Sequence, residues 1–383
     1  MRKLIVLLFA LALLATACSD DAATTTDAPA ATEPPATAAP ATEPPATEAP
    51  ATTEAGPNAD WPDSITVGFI PSERQETLQD NIQPFMDALA ERLGIEVEGI
   101  VTADYNGLVV ALGTGQVDFG AFGPFGYVQA KQQYPDIEVL IQSVRFGSGT
   151  YHGQWFATPE AAATLCDEDP VPGALENMGG EVVLVDPFDA IALQVGVAFG
   201  DEGKEDEVLE DGTPVDPGLA CLGDLSRVAG LDIAFGSPTS TSSAVFPTLQ
   251  LLNLGIDLDA DVGIVNLGSH TDTVAAVYAG DADVGAAFDD ARRNLREESP
   301  DIGSEVVVFA ITDEIPNDVV AVTGDLPDTL KQAFYDAIAD YLSTEEGEAV
   351  LDEVYEWTDI REAVDSDFDV VRDAQAKLGI TED

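Results

Sequence analysis

The sequence predicts an α/β protein with two lobes that face each other across a cleft. From Ser64 onward, apolar runs of strand length alternate with runs of helix length, which is typical of mostly parallel sheets flanked by helices. Segment 115–122 is echoed by segment 280–288, and each begins with glycine after a helix and continues as a strand of small residues. The echo indicates two similar α/β units, although helix-glycine-strand sequences are common enough to recur by chance.

Apolar periodicity and glycine stops predict the elements of the first unit. In order they are strand 65–70, helix 76–93, strand 95–101, helix 105–112, strand 117–122, helix 126–133 and strand 137–145. Gly94 follows the first helix, at a position where glycine commonly ends helices. The alternation resumes at Leu231, continues to Val322 and is followed by two or three helices, starting with 326–342.

Residues 1–17 have the layout of a secretory signal peptide, with a basic start, an apolar run and small residues before Cys18. The apolar run is too short for a permanent transmembrane helix. Small residues ending at Cys18 resemble a bacterial lipobox, with Ala15 where leucine is usual, so Cys18 is the predicted lipidation site; an ordinary cleaved signal peptide is the alternative. Residues 18–60, rich in Ala, Thr, Pro and Glu, predict a disordered tether. The expected location is the outer face of the cytoplasmic membrane, on a lipid anchor.

Charge excludes several classes of partner. The chain has 71 acidic and 15 basic residues, a formal net charge of −56. This balance argues against binding nucleic acid and against a basic membrane-docking face. An anion site in such a chain has to work through short-range donors, since charges beyond about 8 Å are largely screened.

The cysteines that follow the tether are Cys166 and Cys221. In an exported chain they predict a disulfide, with two buried thiols as the alternative. Together with two scattered histidines they do not form a zinc site, so neither a metal nor a cofactor is expected. The irregular, acidic stretch at about 160–230 holds one clear strand, 181–185, and is predicted to be an insertion with the two cysteines near its ends.

Hydroxyl residues at the start of one helix are the strongest functional signal. Segment 238–243 (Pro-Thr-Ser-Thr-Ser-Ser) follows the apolar strand 231–236 and precedes the amphipathic stretch 244–254. A helix start offers unpaired backbone N–H groups and partial positive charge, so added hydroxyls make a cradle for an oxyanion. Helix capping alone is the alternative.

Several motifs, taken in order, resemble the substrate-binding proteins of phosphonate and phosphite ABC importers. They are Asp104-Tyr105, Gly115 to Asp118 running into Phe122 to Tyr127, Ser240-Thr241-Ser242, Gly268-Ser269-His270, Gly280 to Asp283, and Ile315 to Asp318. The resemblance covers nearly everything from 65 to about 342 except the insertion. It implies a two-lobed type II periplasmic binding protein fold with a hinge and a central ligand cleft. The lobes expected are 61–157 with 310–383, and 158–309 including the insertion.

The same resemblance implies a set of ligand-binding residues from both lobes. They are Tyr105, Tyr151, Ser240, Thr241, Ser242, His270, Asp290 and Asp318. The hydroxyls and His270 would hold the ligand's oxygens, the tyrosines would reach in from the opposite lobe, and the two aspartates would take an amino group or a protonated oxygen. Two departures from the family pattern are Ser243, where glycine is usual, and Asp290, where glutamate is common. Because the set contains no Lys or Arg, we expect neutral donors to bind a small, partly protonated oxyanion such as phosphite or 2-aminoethylphosphonate.

The expected function is that of a monomeric, lipid-anchored binding protein that delivers a small phosphorus oxyanion to an ABC permease, without catalysis. One alternative is a sensor that passes ligand occupancy to a membrane histidine kinase. Another is a serine hydrolase that uses Ser240 or Ser242 with His270 and Asp272, although the sequence has no Gly-x-Ser-x-Gly elbow.

Overall fold

The structure is a computed structural model and describes residue 58 and residues 60–145, 147–185, 218–296 and 298–380. The predicted signal peptide, Cys18 and nearly all of the tether lie outside the described residues, as does part of the predicted insertion. Within the described ranges, no helix has the length and apolar character needed to cross a membrane.

Strands and helices alternate along the described chain. The strands are β1 (Ser64–Phe69), β2 (Glu96–Val101), β3 (Phe119–Phe122), β4 (Glu138–Val144), β5 (Thr150–Tyr151), β6 (Gly153–Ala157), β7 (Val171–Pro172), β8 (Ala174–Asn177), β9 (Val182–Val185), β10 (Leu219–Ala220), β11 (Asp232–Phe235), β12 (Gly263–Asn266), β13 (Val284–Phe288), β14 (Val307–Ile311), β15 (Ile315–Pro316), β16 (Val319–Val322) and β17 (Asp359–Glu362). The helices are α1 (Gln75–Leu93), α2 (Tyr105–Gly113), α3 (Pro124–Gln133), α4 (Pro159–Leu165), α5 (Phe246–Asn253), α6 (His270–Ala279), α7 (Ile302–Glu305), α8 (Asp328–Leu342), α9 (Glu345–Tyr355) and α10 (Asp369–Leu378).

Helix α1 shows how the sequence pattern becomes structure. Its buried side chains recur at three- and four-residue spacing, so they form one face of the helix; they are Leu78, Ile82, Phe85, Met86, Leu89 and Leu93. The helix ends at Gly94, which adopts the left-handed conformation with φ 71°. The predicted end of this helix is confirmed.

Two sheets of matching design form the two lobes. The first has the strand order β2-β1-β3-β16-β4-β17 and the second β12-β11-β13-β6-β14-β10-β7. In each, the second strand from one edge (β1 or β11) pairs in parallel with both neighbours, and the strand on the far side of β3 or β13 (β16 or β6) is antiparallel. This arrangement confirms the predicted two-lobed type II fold.

The sequence echo marks the same position in both lobes. Asp118 precedes β3, and its Oδ2 accepts a hydrogen bond from the amide of Thr66 at 2.8 Å. Asp283 precedes β13, and its Oδ2 accepts one from the amide of Asp232 at 2.9 Å. Each carboxylate therefore ties the start of one strand to its parallel neighbour.

The chain crosses between the lobes twice, and the two crossings pair with each other. Strands β5 and β15 are antiparallel, with Ile315 opposite Tyr151. The side chain of Asn317 braces them by donating to the carbonyls of Ser143 and Ser148, at 3.1 and 2.8 Å. Since β6 and β14 both belong to the second sheet, the boundaries predicted after 157 and 309 are wrong: β6 starts at Gly153 and β14 ends at Ile311. Strand pairing decides the lobe of β6, and the sequence of a strand does not show its partners.

The predicted disulfide between Cys166 and Cys221 is present, with the two Cα atoms 5.7 Å apart. It closes a sequence separation of 55 residues in the second lobe. The predicted strand 181–185 corresponds to β9, which forms an antiparallel pair with β8.

Candidate functional site

A cavity of about 910 Å³ lies where the two lobes meet. The predicted site residues that line it are Tyr105, Tyr151, Ser240, Thr241, Ser242, His270 and Asp318. Asp290 is absent from the described wall. The fold thus brings together seven side chains from five separate segments of the chain.

The hydroxyl-rich helix start opens with a π-helical turn over Thr241–Val245. The carbonyl of Ser240 accepts from the amides of both Ala244 and Val245, at 3.1 and 3.0 Å. Pro247 explains the wide turn, because proline has no N–H to donate to the carbonyl four residues earlier and crowds it. The amphipathic stretch was correctly placed, but this widening of its first turn was not predicted.

Capping uses the hydroxyl of Ser240, and the hydroxyl of Thr241 accepts from the amide of Phe125 in the first lobe at 3.0 Å. Ser240 is the capping residue, and its Oγ accepts from the amide of Ser243 at 3.4 Å. Thr241 and Ser242 line the cavity and are 3% and 2% exposed. Their amides are the first two of the helix, which have no acceptor within it. The additional hydroxyl of Ser243 accepts from the amide of Gly236 at 2.5 Å, so it holds the strand end and not the cavity wall.

His270 begins helix α6 and is held as a neutral imidazole. The hydroxyl of Ser269 caps this helix by accepting from the amide of Asp272 at 3.1 Å. Burial, followed by the positive charge of Arg145, lowers the pKa of His270 to about 3. Its Nε2 lies 3.5 Å from Oγ of Ser240, and its Nδ1 is buried without a partner among the described residues. A neutral ring in this position offers one N–H donor beside the hydroxyls.

Two tyrosines add further uncharged side chains to the cavity wall, one from the first lobe and one from a crossing strand between the lobes. Tyr105 is the first residue of α2, whose cap Asp104 accepts from the amide of Gly107 at 2.7 Å. Tyr151 lies in the crossing strand β5. Burial raises the pKa of Tyr105 well above its usual value and that of Tyr151 also, so both phenols stay protonated and act as donors.

A buried cation in the cavity corrects the expectation that neutral donors act alone. Arg145 directly follows β4 and lines the cavity. Its Nη2 donates to Oδ2 of Asp318 at 2.6 Å, and its guanidinium carbon lies 5.2 Å from the ring centre of Tyr151. The resemblance carried no residue at this position. The sequence did contain a signal for it. The chain has only 15 basic residues, so an arginine at the end of a predicted strand could have been considered as a candidate site residue.

The predicted ligand role of Asp290 finds no support in its position. Its carboxylate is bound by Arg292, with Nη2 to Oδ2 at 2.6 Å and Nε to Oδ1 at 3.0 Å. The side chains are 5% and 3% exposed, so the pair is buried inside the second lobe. Asp318, in contrast, lies on the cavity wall, where burial raises the pKa of its carboxyl group and Arg145 opposes that rise.

Hydrogen bonds across the cleft show that the lobes are closed. The first-lobe residues that make them lie in the loop before α1, which the sequence analysis did not identify as part of the site. The amide of His270 donates to the carbonyl of Ser72 at 2.9 Å, and the hydroxyl of Thr271 donates to the carboxylate of Glu73. Burial is the main cause that raises the pKa of Glu73 to about 7.

A salt bridge in the same contact bears on the hydrolase alternative. Arg74 Nε lies 3.2 Å from Oδ1 of Asp272. Asp272 is therefore engaged across the cleft by Arg74, which disfavours the idea that it orients His270 in a catalytic triad.

Several known proteins have sequences similar to this chain. Residues 67–368 match the profile of a family described as the periplasmic substrate-binding protein of phosphonate ABC transporters. The phosphate-import protein PhnD of Mycolicibacterium smegmatis is 25% identical over 60% of this chain, and the match spans 56%, a little over half, of that relative's length. A probable phosphite-binding protein, PhnD1 of Prochlorococcus marinus, is 23% identical over 71% of this chain and 74% of its own.

Solved structures agree on the fold. A binding component of an ABC phosphonate transporter from Pseudomonas aeruginosa superposes with a TM-score of 0.60 at 18% identity, covering 82% of this chain and 86% of that one. PhnD1 of Prochlorococcus marinus in complex with methylphosphonate gives a TM-score of 0.60 at 19% identity, covering 83% and 98%. From the profile match, the chain belongs to the family of periplasmic substrate-binding proteins of phosphonate ABC transporters.

Proposed function

We propose that this protein captures a small phosphorus oxyanion outside the cytoplasmic membrane and delivers it to an ABC permease. The names of the two relatives and the family description refer to phosphate, phosphite and phosphonates, which share a tetrahedral phosphorus centre with several oxygens. The proposal includes a lipid anchor at Cys18 and a monomeric state. Since the family consists of binding proteins, the protein is not an enzyme, as the sequence indicated.

The observation that carries the proposal is the buried helix start at the cavity wall. The hydroxyls of Ser240, Thr241 and Ser242 are nearly inaccessible from outside, yet all three line the cavity. Hydroxyl and amide donors at a helix start favour negatively charged oxygens through hydrogen bonds and the helix dipole. Tyr105 across the cleft and Tyr151 in the crossing strand β5 add phenolic donors, so closure surrounds a tetrahedral ligand from several sides.

Closure of this kind suits delivery, because a permease can distinguish a closed, loaded binding protein from an open one. The sensory alternative begins with the same capture of ligand. No contact in the described part of the chain favours it over transport.

Calorimetry with the purified protein tests the proposal. The ligands are phosphate, phosphite, methylphosphonate and 2-aminoethylphosphonate, with sulfate for comparison. We expect at least one phosphorus ligand to bind and to raise the melting temperature, because a ligand that binds only the folded state stabilises it.

Two variants locate the site. Ser240→Ala and Thr241→Ala should each weaken binding about tenfold or more, the value of a hydrogen bond to a charged group. Thr239→Ala is the matched control, since this neighbour lies outside the described cavity wall and bonds with Ser237. Unchanged affinity in both cavity variants would remove the helix start from the proposed site.

A further inference from the structure

We propose that Arg145 determines the ligand class of this site: it makes the protein select phosphorus oxyanions that carry no cation of their own over phosphonates that carry an ammonium group. The inference rests on the proposed function. It concerns a residue that neither the sequence motifs nor the helix start identified.

Arg145 is fixed in place by aromatic rings. Its guanidinium carbon lies 5.2 Å from the ring centre of Tyr151 and 5.8 Å from that of Phe288. Its side chain is 12% exposed. A guanidinium packed against two aromatic rings loses little further freedom when it meets an anion, because its position is already restricted.

The bond between Arg145 and Asp318 leaves donors of the guanidinium for a ligand. One nitrogen, Nη2, is bonded to Asp318 at 2.6 Å. Nε is buried and has no hydrogen-bond partner among the described residues. A buried N–H without an acceptor is costly, so the charge of this guanidinium is not fully compensated by hydrogen bonds and attracts an anion in the same cavity.

The same bond already occupies the carboxylate that an ammonium group would need. Asp318 Oδ2 accepts from Arg145, and the two side chains are 14% and 12% exposed. An ammonium near Asp318 would therefore also lie close to the guanidinium, and like charges a few ångströms apart repel strongly when they are shielded from water. An oxyanion without an amine gains the attraction of Arg145 and avoids this repulsion.

Two other arginines on the cavity wall have carboxylate partners that balance their charge. Arg293 lies 3.1 Å from Glu356 and 3.6 Å from Asp352. Arg74 bonds with Asp272 and Glu298 at 3.2 and 3.4 Å, in a more exposed position. His270 is neutral because burial and Arg145 lower its pKa to about 3. Among these groups, Arg145 combines a single carboxylate partner with a buried, unpaired donor.

The test compares ethylphosphonate with 2-aminoethylphosphonate, which differ only by the ammonium group. Calorimetry on the wild type should show at least tenfold tighter binding of ethylphosphonate. Arg145→Gln should weaken ethylphosphonate binding at least tenfold and abolish or reverse the preference, because Asp318 is then free to accept the ammonium. Asp318→Asn should keep the preference for ethylphosphonate or increase it.

Two further variants control for folding and for loss of charge. Arg145→Lys keeps the positive charge and should keep the preference, so the comparison survives if Arg145→Gln does not fold. Arg92→Gln removes a cation that bonds with Asp340 on the surface and should leave both affinities unchanged.

The outcomes separate this inference from the proposed function. If the wild type binds no phosphorus ligand, the proposed function fails. If it binds one but prefers the amine, shows no preference, or binds neither ethyl compound, the inference is wrong and the proposed function stands. An unchanged preference in a folded Arg145→Gln protein also overturns the inference.

Discussion

The two lobes carry different types of side chain at corresponding places, namely in the segments that follow corresponding strands of their sheets. After β1, the first lobe has Ser-Glu-Arg at 72–74, which ends at the helix cap Arg74. After β11, the second lobe has Pro-Thr-Ser at 238–240, which ends at the cap Ser240 and is followed by Thr241 and Ser242. After the next strand along the chain, the first residue of the following helix is Tyr105 in one lobe and His270 in the other. The second lobe therefore supplies small neutral donors, while the first supplies a large phenol and the charged groups that bridge the closed lobes. In the proposed function, one backbone plan thus takes two roles, anion binding in the second lobe and closure in the first.

The largest expected difference between the lobes comes from the disulfide, which only the second lobe has among the described residues. Replacing Cys166 and Cys221 together by serine should lower the free energy of unfolding by about 4 kcal/mol, because the bridge closes a separation of 55 residues. Urea unfolding of the variant and the wild type measures this loss. Ligand affinity should be unchanged, and a large loss of affinity would show that the bridged insertion shapes the cleft.

The second prediction concerns pH and the charged loop of the first lobe. Burial raises the pKa of Glu73 to about 7, against 4.5 in the unfolded chain. A raised pKa means that its contribution to stability is complete below pH about 4.5 and is lost as pH rises through 7. Glu73→Gln removes this dependence, so the stability of the variant relative to the wild type should rise by on the order of 3 kcal/mol between pH 4.5 and 8.

Urea unfolding at several pH values measures this difference. The pH dependence that other buried carboxyl groups contribute cancels in the comparison, because both proteins contain them. Ser240→Ala, at the equivalent loop of the second lobe, is the control and should show the pH dependence of the wild type. A parallel pH profile for Glu73→Gln and the wild type would contradict the prediction.

The prediction with the smallest expected effect compares the two aspartates of the sequence echo, Asp118 and Asp283, for their contribution to stability. Asp118→Ala leaves the amide of Thr66 without its acceptor in a partly buried position and should cost about 1–2 kcal/mol. Asp283→Ala leaves the amide of Asp232 at an exposed position, where water replaces the carboxylate, and should cost less than about 1 kcal/mol. Chemical unfolding of both variants ranks them, and a larger cost for Asp283→Ala would reverse the comparison.

The sequence determined the features that arise from neighbouring residues. Helix α1 with its stop at Gly94, the strand–helix alternation and the hydroxyl-rich helix start all follow from spacing and residue type. These are local preferences, and a one-dimensional pattern contains them in full. The family resemblance added which of these local features meet in one cleft, and seven of its eight ligand residues line the cavity.

Only the tertiary structure decided the partners of the charged groups. Arg145 and Asp318 are 173 residues apart, and Glu73 and Thr271 are 198 apart, yet each pair is in hydrogen-bond contact. Likewise, strand pairing assigned β6 to the second lobe. The physical reason is that burial and electrostatic pairing depend on distance in space, which the order of residues along the chain does not specify.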